Sequence, residues 1–249
     1  MASAIHDGHE LSLEVAERLA LSAAERCREE DPFTVEWTAV APHRILVARS
    51  RFEVDLNRPR EKAIYLAPGD AWGLRVWREP PTEKILEDSL REYDAFYAGV
   101  EERLRGLVRR HGRFVLFDIH SYNHRRGHPA APPEDAEKNP QVNVGTASAD
   151  RARWGRLIER FVADLSTADF LGARLDVREN VKFFGGNFPR WVHKIFPETG
   201  CALALEFKKI FMDEWSGIPD PKKIEAIRAA LAATVPGVLE ELAKMGGTR

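Results

Sequence analysis

The sequence has few of the features that mark secreted, membrane or nucleic-acid-binding proteins. Its 249 residues include only two cysteines, Cys27 and Cys201. Two cysteines do not form a disulfide framework, so we expect both to be reduced and structural. The longest apolar runs fall far short of the about 18 residues that a membrane span needs. Because the formal net charge is only −2, the charge balance indicates neither a nucleic acid nor an anionic membrane as partner.

Several short signatures are missing as well. The segment Met1–His6 has neither the basic nor the apolar region of a secretory signal, so we expect a cytoplasmic protein. The glycine-rich nucleotide-binding fingerprints and the G-x-S-x-G elbow of serine hydrolases do not occur. The length fits one domain over residues 1–249. A chain this long buries a core without help, so a metal would serve chemistry rather than stability.

Apolar periodicity predicts several amphipathic helices. The clearest covers residues 83–110, where apolar residues recur at alternating steps of about four and three, with Thr82 as the N-cap and Gly112 at the end. Pro236 is expected to bend or break the last helix. The other predicted helices cover residues 12–28, residues 151–165 after Asp150, and the segment that begins at Asp220-Pro221.

Continuous apolar runs at 114–119 and 201–207 predict buried strands. Shorter strand-like runs occur at 1–5, 35–40, 44–48, 63–66 and 74–77. Alternation of strands with helices predicts a three-layer α/β fold, with a mostly parallel or mixed sheet covered by helices on both faces. Ligands of such sheets bind beyond the carboxyl ends of strands. Polar residues stand at those ends after residue 5, after residue 119 and at Glu206.

Two histidine clusters suggest metal ligands. The first is His6-Asp-Gly-His9-Glu10, in which Gly8 permits a tight turn that brings side chains together. The second is Asp118-Ile-His120, where residues two apart on a strand share a face. A carboxylate at Asp118 can therefore orient the imidazole of a metal-bound His120. A frayed N-terminus and an ordinary strand-end histidine are the competing interpretations.

Glu206 stands inside an apolar strand, where a carboxylate is costly unless it is paired or functional. One interpretation makes it the general base of a metal-assisted hydrolase. The other pairs it with Lys208, Lys209 or another cation.

Two further segments suggest substrate contacts. Arg51, Asn57 and Arg58 offer guanidinium and amide groups that suit a carboxylate. The pair Gly185-Gly186 permits close approach of the backbone to a ligand. Each segment can also be read as a solvated loop. The long polar loop at 121–140 has a length that is often functional.

These segments, in this order, resemble the N-formylglutamate amidohydrolase family. The order is also similar to that of the aspartoacylase and zinc carboxypeptidase superfamily, whose Asp-Leu-Asn-Arg motif matches residues 55–58. The segments that carry the resemblance are Ala4–His9, Arg51–Arg60, Phe117–Ser121, Phe184–Gly186 and Leu205–Trp215.

The resemblance implies a zinc carboxypeptidase-like fold and one zinc ion, or another first-row divalent ion, held by His6 and His120. Asn57 and Arg58 would bind a substrate carboxylate, with Arg51 assisting, and Gly186 would adjoin the substrate. The superfamily's first motif is His-x-x-Glu, but His9 stands at the glutamate position here. The remaining ligand is therefore His9, Glu10 or a carboxylate of residues 29–31, and spacing favours His9.

The resemblance also implies a reaction. Glu206 would act as the general base and then donate a proton to the leaving amine. The expected substrate is a small N-acyl amino acid that carries a carboxylate, such as N-formylglutamate. Two alternatives remain open at this point: a peptidase or cell-wall amidase on the same fold, and a non-catalytic module that binds carboxylates.

Overall fold

A mixed sheet of six strands is the centre of the computed structural model, which describes residues 1–245. The strand order is β2-β1-β3-β6-β4-β5; β4 and β5 run opposite to the other four strands. The strands are β1 Ala2–Ala4, β2 Arg44–Leu46, β3 Phe114–Tyr122, β4 Val142–Gly145, β5 Val177–Glu179 and β6 Gly200–Lys208.

Helices cover both faces of this sheet. Within residues 1–245 they are α1 Leu13–Arg18, α2 Ala23–Glu29, α3 Thr34–Trp37, α4 Glu83–His111, α5 Arg151–Thr167, α6 Asn187–Ile195 and α7 Pro221–Lys244. The caps of α4 and α5 are Thr82 and Asp150, whose side chains accept hydrogen bonds from backbone N–H groups of the first turn. The predicted three-layer α/β architecture with a mixed sheet is therefore confirmed.

Alternate residues of β3 enter two separate cores, because side chains alternate across a strand. The core against α4 and α6 takes Phe114 and Leu116. Asp118 and His120 continue the same face, so the polar end of the strand lies on that side of the sheet. The core against α5 and α7 takes Val115, Phe117 and Ile119.

Several predicted elements differ in the structure. The helix expected over 12–28 is two helices, because Leu19 leaves the helix, is buried and bridges to Trp77. The strand expected over 35–40 is helical: α3 continues into a 3₁₀ turn at Thr38–Val40. Its cause is tertiary, since Trp37 is fully buried against the rings of Phe207 and Phe211.

Other differences concern short segments and one proline. Residues 63–66 form no strand, and residues 74–77 contribute only the bridge of Trp77. Helix α7 continues through Pro236. Leu231 and Val238, on either side of the proline, are buried in one core, which offsets the missing hydrogen bond. The sequence patterns did not reveal β4, β5 or α6.

Two further observations concern the cysteines and the helices. Cys27 and the buried Cys201 are both free thiols. Among residues 1–245, every helix is too short or too polar to traverse a lipid bilayer.

Candidate active site

The register between β3 and β6 places His120 directly opposite Glu206, and Asn143 of β4 opposes Glu206 on the other side. Within the described residues, the Glu206 carboxylate makes no ion pair and accepts no hydrogen bond. The Lys209 ammonium donates instead to the carbonyls of Arg28 and Glu30, at 2.6 and 2.8 Å. Pairing with a lysine therefore does not explain this carboxylate.

His6 follows β1, the neighbour of β3, and so reaches the same end of the sheet as His120. The centroids of the two imidazole rings are 4.9 Å apart, and both side chains are buried. Gly8 lets the segment after His6 pack against Ala48, which follows the edge strand β2. A Cβ atom on Gly8 would lie 2.3 Å from the carbonyl carbon of Ala48, so only glycine permits the approach.

Asp31 completes a cluster of three buried ligand groups with His6 and His120. Its Oδ2 atom lies 3.0 Å from His120 Nδ1 and 3.5 Å from His6 Nδ1. One ligand atom from each residue lies within 4.8 Å of the other two. The backbone N–H of Asp31 donates to the His6 carbonyl at 2.9 Å, and the Lys209 contacts hold the segment just before Asp31.

Each histidine of the cluster has its other nitrogen occupied by a carboxylate. His6 Nε2 is 2.7 Å from Asp55 Oδ1, and His120 Nε2 is 3.0 Å from Asp118 Oδ2. Both Nδ1 atoms therefore face Asp31, and His6 Nδ1 is buried without any hydrogen-bond partner. Carboxylates behind imidazoles are typical of protein metal sites. The unpartnered nitrogen and the donor set fit a divalent cation such as zinc.

The buried carboxylates and imidazoles of this cluster shift one another's pKa values. Burial opposes ionisation of Asp31, but the hydrogen bond with His120 and the nearby His6 imidazole outweigh it and lower the pKa of Asp31. Burial also opposes protonation of His120, yet Asp118 overcomes it and raises the pKa of His120 well above its ordinary value. A bound cation would take the place of this proton.

His9, which spacing favours as the third ligand, lies apart from the cluster. Its side chain is about half exposed, and its Nδ1 atom lies 2.5 Å from Glu30 Oε2. The Glu10 side chain is exposed on the surface, and Glu29 contacts the guanidinium groups of Arg28 and Arg126. Of the alternatives in the sequence, the structure brings a carboxylate of residues 29–31, namely Asp31, to His6 and His120.

The predicted carboxylate-binding residues are only partly brought together. Arg51 lies beside the cluster, but Asp55 already pairs with its Nη2 atom at 2.9 Å. Arg58 turns away: its Nη2 atom donates to the Asp70 carbonyl at 2.6 Å, and its guanidinium lies over the Tyr65 ring. Arg58 does not line the cavity that the other site residues share.

Asn57 and Gly186 contact each other at the edge of the site. The Asn57 Oδ1 atom accepts a hydrogen bond from the Phe188 N–H at 2.9 Å, and its Nδ2 atom lies 3.5 Å from His120 Nε2. A Cβ atom on Gly186 would lie 2.2 Å from Asn57 Oδ1. Gly186 thus allows Asn57 to lie between the start of α6 and His120.

A cavity of about 480 Å³ opens over the cluster. A larger apolar cavity of about 710 Å³ lies at the opposite ends of the strands, by Met1 and Phe114, and none of the candidate residues lines it. The 480 Å³ cavity is also lined by residues that the sequence analysis did not single out as substrate contacts: Trp72, Arg126, Lys182, Phe184 and Arg190. Trp72 lies in no segment that the sequence marked. Arg126 belongs to the polar loop at 121–140, and Lys182, Phe184 and Arg190 flank the Gly185-Gly186 pair, for which only a backbone contact was predicted.

Asp31 and Asp55 are the other functional groups whose place the sequence patterns did not settle. A weak signal existed for Asp31, which ends the Glu29-Glu30-Asp31 run after a predicted helix. Asp55 belongs to the Asp-Leu-Asn-Arg segment, but it contacts His6 and Arg51.

Comparisons with known proteins bear on the fold and the family of the chain. None of the curated proteins matches the chain. A crystal structure of N-formylglutamate amidohydrolase from Ralstonia eutropha JMP134 superposes with a TM-score of 0.74 at 12% identity, covering 96% of this chain and 92% of that chain. The gene product Atu2144 from Agrobacterium tumefaciens gives 0.67 at 17% identity, with coverage of 98% and 91%.

A metallo-carboxypeptidase from Burkholderia cenocepacia gives a TM-score of only 0.40, at 14% identity, and covers 96% of this chain but 56% of that chain. The sequence model of one family matches residues 1–212, which include every member of the histidine and carboxylate cluster. The chain belongs to the N-formylglutamate amidohydrolase family.

Proposed function

We propose that the protein is a metal-dependent amidohydrolase that hydrolyses the amide bond of a small N-acyl amino acid carrying a carboxylate. The observation that carries the proposal is the buried cluster of His6, Asp31 and His120 with the unpaired carboxylate of Glu206 beside it. Family membership supports the reaction class, because the family is one of amidohydrolases.

The three residues of the cluster would hold one divalent ion through the two Nδ1 atoms and the Asp31 carboxylate. Two histidines and one carboxylate are a ligand set of catalytic zinc sites, which keep a further position open. Such an ion supplies a water molecule of lowered pKa and polarises the acyl oxygen of the substrate. Asp55 and Asp118 keep the two imidazoles in the orientation that this requires.

Glu206 would carry the proton during the reaction. Burial raises the pKa of Glu206 to about 7, although nearby His120 acts in the opposite direction. A carboxyl group of that pKa can accept a proton from the attacking water and return it to the leaving amine near neutral pH. The overall change is balanced: one water and one amide give one carboxylic acid and one amine.

Substitution of Glu206 by glutamine tests the assignment. Glu206→Gln keeps the shape of the side chain but removes the base, so we expect turnover of an N-formyl amino acid to fall by at least about 100-fold. Bound zinc should stay near one per chain by elemental analysis. Glu198→Gln, which changes an exposed glutamate outside the cavity, is the matched control. Full activity of Glu206→Gln would refute the mechanism.

The same preparations separate the alternatives. A non-catalytic module would bind N-acyl amino acids without turnover at any added divalent ion. A peptidase or cell-wall amidase would hydrolyse short peptides or cell-wall fragments faster than N-formyl amino acids.

A further inference from the structure

We infer that the substrate carries a single carboxylate, bound by Arg190, together with a large apolar or aromatic group, bound by Trp72 and Phe184. This inference rests on the proposed function and names the substrate class within it. It differs from a dicarboxylate substrate such as N-formylglutamate, because among residues 1–245 the cavity offers one exposed cation whose side chain has no protein partner and two exposed aromatic rings.

The cations that line the cavity differ in whether a protein group already occupies them. Arg51 pairs with Asp55, and Arg126 pairs with Glu29 at 3.3 Å. Lys182 pairs with Glu134 at 2.7 Å. Each of these three guanidinium and ammonium groups therefore already has a carboxylate partner in the protein.

Lys209 and Arg190 are the other two cations along the cavity wall. Lys209 is buried, with its ammonium donating to two backbone carbonyls. Arg190 makes no ion pair or side-chain hydrogen bond within residues 1–245, and it is exposed on the first turns of α6. An unpaired guanidinium at the wall of a cavity suits one carboxylate, which it can bind bidentately.

The aromatic ring of Trp72 lines the same cavity, and the backbone of this residue has an unfavourable conformation. Its φ angle is +52°, which bulky residues rarely adopt, and its side chain remains 44% exposed. The ring lies near the Arg51 guanidinium, 4.9 Å from the centroid. The turn at 68–74 holds this backbone through hydrogen bonds such as that from the Gly73 N–H to the Pro68 carbonyl at 2.8 Å, and the exposed ring at the cavity wall is therefore available to a ligand.

Phe184 supplies a second exposed ring. It lines the cavity, is 53% exposed, and precedes the Gly185-Gly186 turn that leads into α6. Two exposed aromatic rings at one cavity favour an apolar group over a second carboxylate, which would find no unpaired cation there.

The test compares N-formyl-L-phenylalanine with N-formyl-L-glutamate, which share the scissile bond. We expect kcat/KM of the zinc-loaded protein to be about 10- to 100-fold higher for the phenylalanine derivative. Trp72→Ala should reduce this ratio at least about fivefold, and Arg190→Gln should raise KM for both compounds about tenfold or more. Equal or greater kcat/KM for the glutamate derivative, unaffected by Trp72→Ala, would overturn the inference.

Matched variants control for general effects. Leu171 is also an exposed apolar residue with positive φ, at +55°, but it lies outside the cavity. Leu171→Ala should therefore leave the preference unchanged. Arg156→Gln removes an exposed arginine of α5 and should leave KM unchanged. Thermal unfolding of each variant shows whether the fold is retained.

Calorimetric binding of both compounds to Glu206→Gln distinguishes failure of this inference from failure of the proposed function. Preferred binding of the phenylalanine derivative, with the preference reduced by adding Trp72→Ala and the binding of both compounds weakened by adding Arg190→Gln, supports the recognition even if the wild type shows no turnover, in which case the proposed function falls. Turnover with a preference for the glutamate derivative would refute the proposed recognition of an apolar group and leave the proposed hydrolysis supported. Neither turnover nor binding of either compound would overturn both.

Discussion

Asp55 is the residue whose substitution tests the architecture of the site most directly. Its carboxylate contacts His6 Nε2 at 2.7 Å, Arg51 Nη2 at 2.9 Å and the Asn57 N–H at 2.8 Å, and it also accepts from the Tyr65 hydroxyl. It is buried, and Arg51 and His6 lower its pKa well below the ordinary value despite the opposing effect of burial. One carboxylate thus orients a predicted metal ligand and neutralises a buried arginine.

The variant Asp55→Asn keeps the size and one acceptor oxygen of the side chain but removes its charge. The imidazole of His6 then loses the partner that raises its basicity, so we expect zinc affinity to fall about 10- to 100-fold, which corresponds to about 1.4–2.7 kcal/mol. Because the Arg51 guanidinium would be left without its counter-charge, the free energy of unfolding should also fall, by about 3–5 kcal/mol.

Competition of the apoprotein with a chromophoric zinc chelator measures the affinity, and urea denaturation measures the stability. Asp94→Asn is the matched control. Asp94 pairs with Arg60 on the surface, where both side chains are about half exposed, so the same substitution should change neither quantity appreciably. Zinc affinity of folded Asp55→Asn equal to that of the wild type would show that the orientation of His6 by Asp55 is not part of a metal site.

Two further substitutions test the packing and the charge state near the site. Gly186→Ala places a Cβ atom 2.2 Å from Asn57 Oδ1, so the free energy of unfolding should fall by about 1–3 kcal/mol. Gly99→Ala, where no atom lies within 4 Å of the added Cβ, should not destabilise; equal urea midpoints for the two variants would refute the crowding. His193 Nε2 accepts a hydrogen bond from the Ala202 N–H at 2.9 Å, and burial lowers the pKa of His193 from 6.5 to about 4. The unfolded chain therefore binds this proton first as pH falls, and stability should decrease by about 2 kcal/mol between pH 7 and pH 5. That decrease should be absent in His193→Gln, and an unchanged pH dependence in this variant would contradict a neutral, buried imidazole.

Predictions from the sequence succeeded where one local pattern decides the outcome. Apolar residues of α4 repeat at helical spacing, so burial of one face follows from the sequence, and Thr82 caps the first turn. The structure buries Tyr93, Tyr97, Val100, Leu104 and Leu107 of that repeat. The apolar runs of β3 and β6 had to be buried on both faces, and that placed His120 and Glu206 at strand ends on the same edge of the sheet.

Predictions failed where a distant contact outweighs local preference. Residues 35–40 are rich in β-branched side chains, which favour a strand. Burial of the Trp37 ring against Phe207 and Phe211 requires helical turns there instead. Pro236 was expected to disturb α7, but a helix packed on both sides of the proline tolerates it.

For the site, local sequence alone identified the kinds of residue and their order: two histidines after strands, a carboxylate in a buried strand, and a segment rich in arginine. Their spacing favoured His9, whereas the structure brings Asp31 to the two histidines, because Lys209 and the His6 carbonyl hold the 28–31 segment there.

Local sequence patterns also could not predict which charged side chains would pair with one another. Arg58 and Arg190 are both arginines in polar segments, and the Asp-Leu-Asn-Arg motif at 55–58 favoured Arg58 as the substrate contact. The chain path turns Arg58 to the Asp70 carbonyl and leaves Arg190 unpaired at the cavity. Residue type and periodicity thus determine which chemical groups the protein has available. Long-range packing and burial determine which of these groups come into contact. The reason is that a buried charge loses its water and must find partners, which lie far away in the sequence.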